Sequence, residues 1–139
     1  MKGREFSELL SDLADVLREA DATEAASALK AIVPIFKSAP NRDVSEICGV
    51  LSGVRPPEHN NELRLREMLR LFPALRRFLR RAKASKATVE DFDRLAGALE
   101  AHDQSSAGDI TDAAVKRLRE QATTDKHTSR ITSAGRLVE

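Results

Sequence analysis

Residues 58–86 read EHNNELRLREMLRLFPALRRFLRRAKASK, and this stretch carries both the widest apolar arc and nearly all the excess charge of the chain. At about 100° per residue, Leu65, Met68, Leu69, Phe72, Leu75 and Leu79 share one arc of a helix, with Leu71 and Phe78 at its edge. That face needs a core. Arg66, Arg70, Arg77 and Arg81, offset by four, seven and four residues, fall on an adjoining arc only roughly 60° wide. These four form an arginine ridge whose ends lie about 22 Å apart, from the rise of 1.5 Å per residue. Pro73 sits in the middle of the stretch, where it lacks the amide that would bond back four residues and its ring crowds the carbonyl there. The apolar stripe passes through it in phase, so the pattern predicts one long, Pro-kinked basic helix, with Pro57 able to serve as its first residue.

Residues 64–86 hold nine Arg or Lys against the single acid Glu67, a local charge of +8. The chain before this segment nets −4 and the chain after it −3, which leaves +1 for the whole molecule. A near-neutral total therefore conceals a strong local field, and a polyanion responds to the local field.

The flanking sequence supplies more helices. Between Arg4 and Ala20, Phe6, Leu9, Leu10, Leu13, Val16 and Leu17 recur at helical spacing. Beside them Glu5, Glu8, Asp12, Asp15 and Glu19 make a continuous acidic stripe. Cation sites usually draw ligands from a loop and add carbonyl oxygens, so the stripe reads as a solvated or salt-bridged face, and no metal is expected. Asp21 and Glu24 stand at capping-box spacing, opening a second helix that runs toward Ser38 with Ala25, Leu29, Ile32, Val33 and Phe36 inward. The short link makes the pair an antiparallel hairpin, and Pro34 should bend or shorten its second member.

A third, short helix follows the turn at Pro40 and Asn41, carries Val44, Ile47, Cys48 and Leu51, and stops at Gly53. Arg55, Pro56 and Pro57 form a stiff connector. Beyond Lys86, Thr88 and Asp91 supply another cap, and Phe92, Leu95, Ala96 and Leu99 define a fifth helix ending near His102. Residues 104–108 read as a loop, after which Asp109 and Asp112 open a weaker sixth helix around Val115 and Leu118. From residue 123 the pattern turns polar and aperiodic, with no face to bury.

The expected fold is therefore all-α: a single-domain bundle of about six helices over residues 1–122, with a mobile, flexible polar tail over 123–139. At 139 residues the chain suits one compact domain, and its Ala, Leu and Arg content favours helix. One cysteine forms no internal disulfide, and Cys48 falls on an apolar face as a small core residue, which fits a reducing, cytoplasmic setting. No apolar run reaches the length of a membrane span and no signal-peptide core is visible, so no membrane partner is expected.

Catalytic signatures are missing from the pattern. His59, His102 and His127 lie in three separate segments without the paired spacing of zinc ligands, and read as solvated polar residues. Ser52, between Gly49 and Gly53, is misplaced for a nucleophile elbow and sits in helical context. The scattered glycines form no phosphate-cradling loop. The chain is expected to be non-enzymatic and to use no cofactor.

Two readings of the ridge follow. In the structural one, Arg66 pairs with Glu62, Arg70 with Glu67, and the acidic stripe of the first helix packs beside Arg77 and Arg81 and cancels their field. In the functional one, Arg66, Arg70, Arg77 and Arg81 stay open and bind a polyanion, most naturally a nucleic-acid backbone, since guanidinium forks suit phosphate oxygens. Without Tyr, Trp or a base-reading motif, such binding is not sequence-specific. A third class is a protein-interaction or adaptor module, in which the same helix meets an acidic protein partner or a second copy of the chain as a homo-oligomer or accessory subunit.

Overall fold

The computed structural model describes residues 1–55, 65–102 and 107–138, with side chains as far as Ala122. Six helices are present among them: α1 (Gly3–Glu19), α2 (Thr23–Ser38), α3 (Val44–Ser52), α4 (Leu65–Arg81), α5 (Lys86–Glu100) and α6 (Ala107–Val138). All belong to one all-helical bundle. Phe6, Leu10, Leu13 and Leu17 of α1 are buried as their spacing requires, and they close on α2, with the rings of Phe6 and Phe36 edge-on at 4.8 Å.

Helix α2 is the hub. Ala25, Ala26, Ala28, Leu29, Ile32, Val33, Ile35 and Phe36 are all buried, an arc of about half its circumference, and it packs against α1, α3, α4 and α6. So wide an apolar face is buried only by several neighbours at once, which places α2 at the centre of the bundle. Pro34 neither ends nor shortens it: the helix continues to Ser38, with Pro34 on its exposed face. In the turn before it, the Ala31 carbonyl accepts a hydrogen bond from the Thr111 hydroxyl of α6, which also reaches the Ala107 carbonyl at 2.7 Å. The buried threonine thereby ties α6 to the proline-weakened segment of α2.

Several expected boundaries move. Asp21 is not a cap but takes a left-handed conformation (φ 64°), closing α1 through Asp21 N–H to Arg18 O at 3.1 Å and Ala22 N–H to Leu17 O at 2.9 Å. The basic helix does not run to Lys86. It stops at Arg81, because Lys83 is left-handed as well (φ 59°) and Ala84 N–H returns to Leu79 O at 3.0 Å. Neither stop uses glycine, which is why the sequence conceals them. The cap of α5 is Ser85, whose Oγ accepts from Thr88 N–H at 3.2 Å. Asp91, expected as part of a cap, is instead buried beneath α5 at 3% exposure, held by Arg94 Nη1 at 2.7 Å and the Met1 ammonium at 3.3 Å.

The first residues lie along residues 42–44, with Gly3 N–H bonded to Arg42 O at 2.9 Å and Val44 N–H to Met1 O at 3.0 Å. At the other end α6 begins at Ala107, inside the segment read as a loop, and continues as helix to Val138. No helix end marks the boundary expected at residue 123. Residues 123–138 are mostly Thr, Ser and charged side chains, so neither helix propensity nor an apolar period signals the extension. The Pro56–Pro57 connector, the expected Arg66–Glu62 pair and residues 104–106 of the expected loop lie outside the described residues. Among those described, no helix is long and apolar enough to cross a membrane.

Candidate polyanion-binding face

Helix α4 supplies the candidate face. Leu65, Met68, Phe72, Leu75 and Leu79 are buried, Leu69 and Leu71 are half-buried, and Phe78 stays 43% exposed at the edge of the stripe. Burial on one side fixes the rotation of the helix, and α2 and α5 hold it there; the Phe72 and Phe92 rings meet at 4.6 Å across the α4–α5 contact. The arc opposite the core is then turned outward, and it carries Arg66, Arg70, Arg77 and Arg81, all exposed.

Pro73 does not split the helix. The 17 residues from Leu65 to Arg81 form one element, so the four arginines keep their common arc. The carbonyl of Pro73 accepts a long hydrogen bond from Arg77 Nε at 3.4 Å, which leans that side chain back along the helix. Among the described residues, Arg70, Arg77 and Arg81 make no ion pair. Arg66 is engaged with a neighbour.

The acidic stripe does not cover this face. Glu5, Glu8, Asp12, Asp15 and Glu19 are exposed on the side of α1 opposite its core contacts. Among the described residues, only Asp15 of these five forms an ion pair, with Lys30 of α2 at 3.4 Å. Helix α1 packs on α2 and α3, while α4 packs on α2 and α5, so α2 separates the two charged helices. Nor does Glu67 pair with Arg70 as i, i+3 spacing suggested. Its carboxyl shares a hydrogen bond with Glu24 at the start of α2, and that bond, together with the Glu67 charge, raises the Glu24 carboxyl above the usual carboxylate range.

A second set of charges escaped the sequence reading. Arg76 and Arg80 lie on the flank of α4 that faces α5, where Arg76 Nη2 meets Asp93 at 3.2 Å. With both side chains nearly half exposed, this pair adds at most about 1 kcal/mol. Arg76, Arg77 and Arg80 border a groove of about 410 Å³ between α4 and α5 that also holds Asp93 and Glu100. The recurrence of Arg76 and Arg80 one turn apart was visible; the helix they would face was not.

The remaining candidate groups are structural. Cys48 is a buried free thiol, pushed up to about 12 by burial first and by the charge of Asp91 second. His102 corrects the expectation of a solvated side chain: it is 8% exposed, and its Nε2 donates to the Leu51 carbonyl at 3.0 Å, joining the ends of α5 and α3. His59 lies outside the described residues, as does the side chain of His127. No protein-family model, curated protein or solved structure matches this chain.

Proposed function

We propose that this chain is a non-enzymatic helical binding protein or accessory subunit whose α4 ridge contacts a nucleic-acid backbone without reading its sequence. One observation carries the reading: Arg70, Arg77 and Arg81 project from a single uninterrupted helix and meet no carboxylate among the described residues. Arginine left unpaired on a rigid element suits phosphate oxygens, because the guanidinium fork is always charged and is weakly hydrated. Three phosphate contacts, from Arg70, Arg77 and Arg81, give a slope near −2.7 in log affinity against log salt on duplex DNA, and each of these arginines replaced by glutamine removes about 0.9 of it. Fluorescence anisotropy on a labelled oligonucleotide across a salt series measures this. Affinity that does not change with salt, or that survives replacement of all four arginines, eliminates the reading.

A protein-interaction reading has its own observation. Phe78, 43% exposed, is one of two large apolar side chains left in solvent among the described residues, and it borders the ridge, as suits a partner carrying both apolar and acidic groups. Light scattering of the pure protein checks the case of a second copy: a monomer at every concentration removes it.

A further inference from the structure

The groove between α4 and α5 runs alongside the ridge and shares Arg77 with it. Its floor is apolar: Phe72, 6% exposed, half-buried Leu69 and the exposed ring of Pro73. Pro73 lies one turn before Arg77 and two turns before Arg80 on the flank that borders the groove, so an apolar ring is followed along the helix by two guanidinium groups. Arg80 makes no ion pair among the described residues. At about 410 Å³ the groove is in the size range of small-molecule sites.

Resting on the backbone-binding reading above, we infer that this groove takes one unpaired nucleobase from a single strand whose phosphates lie on the ridge, with guanine preferred. A base inside a duplex cannot leave its stack without loss, whereas an unpaired one can lie on an apolar ring and be covered by an arginine plane. The preference comes from the carboxylates. Asp93 is committed to Arg76 at 3.2 Å, but Glu100, at the end of α5, is exposed and has no partner among the described residues. An ionised carboxylate is acceptor-only and takes two donors side by side. Guanine offers such a pair on its Watson–Crick edge, the ring N–H and the exocyclic amine; a thymine edge does not. Arg77 serves both surfaces, so backbone and base engage together.

The test uses the full chain and short oligothymidylates carrying a single guanosine, inosine or abasic site, read by fluorescence anisotropy at low salt. Guanosine is expected to bind on the order of tenfold tighter than the abasic strand, the lower part of the range for stacking one base. Inosine, which lacks the exocyclic amine, should fall between them, and Glu100→Ala should remove the difference between guanosine and inosine while leaving the salt slope unchanged. Equal binding of all three strands, with affinity still lost in the Arg70→Gln/Arg81→Gln variant, overturns the groove assignment and keeps the backbone reading. Absence of binding to any strand overturns both. Polyglutamate of matched charge binding as tightly as the guanosine strand would give the groove to acidic peptides and overturn the base assignment.

Discussion

Glycine 3 offers a sharp test of how the chain is locked together, because its replacement by alanine should do the opposite of what helix propensity forecasts. A β-carbon built there would stand 2.5 Å from the Ala39 carbonyl oxygen, 2.8 Å from that of Phe36 and 2.9 Å from Ile47 Cδ1. Two of these are backbone atoms at the end of α2, which cannot swing aside as a flexible side chain can, so the start of α1 must withdraw by about an ångström. Withdrawal stretches the bonds from Gly3 N–H to Arg42 O and from Arg4 N–H to Pro40 O, now 2.9 and 3.1 Å. Overpacking of this kind costs about 1–3 kcal/mol and each weakened hydrogen bond about 1 kcal/mol, which outweighs the gain of up to about 1 kcal/mol from alanine in a helix. A net loss of about 3 kcal/mol lowers the melting temperature by about 6–12 °C for a domain of this size. Gly49 and Gly97 are the internal controls: both are helical, and a β-carbon at either meets nothing within 4 Å. Alanine there should stabilise by about 0.5–1 kcal/mol. Circular dichroism during urea and thermal unfolding is the appropriate assay, since the chain has no Trp or Tyr to report by fluorescence. A Gly3→Ala protein as stable as the Gly49→Ala protein would refute the docking of α1 against residues 36–47.

Other outcomes follow from the same packing. Glu24→Gln should raise the melting temperature at neutral pH, because the raised folded-state pKa of Glu24 means that its ionisation opposes folding above that pKa. The opposition disappears as pH falls through the folded value, so the advantage of glutamine should vanish in acid, and a pH-independent difference would contradict the Glu24–Glu67 contact. Cys48, with its thiol pushed up to about 12, should resist iodoacetamide at pH 8 in the native protein and react in urea; equal rates would place it outside the core. Thr111→Val keeps the shape and removes the donor to the Ala31 and Ala107 carbonyls, so it should cost about 1 kcal/mol in urea unfolding, and a neutral result would deny that contact any role in seating α6.

Periodicity alone determined the helical class, the apolar faces of α1, α2, α3 and α5, and the alignment of Arg66, Arg70, Arg77 and Arg81, because side-chain direction in a helix follows from a fixed rotation per residue. Local signals served less well at the ends. Asp21 and Lys83 close helices in left-handed turns without glycine, and Ser85 caps α5 in place of the Thr88 and Asp91 pair, since which polar residue becomes a cap depends on where the preceding helix lets go. The choice between an open and a neutralised ridge belonged to tertiary structure. Opposite charges on two helices attract in any arrangement, but the broad buried face of α2 demands the central place, and seating it there sets it between α1 and α4. Burial of the large apolar faces outweighs exposed ion pairs that are each worth less than about 1 kcal/mol, so the core set the layout and the charges were left facing water.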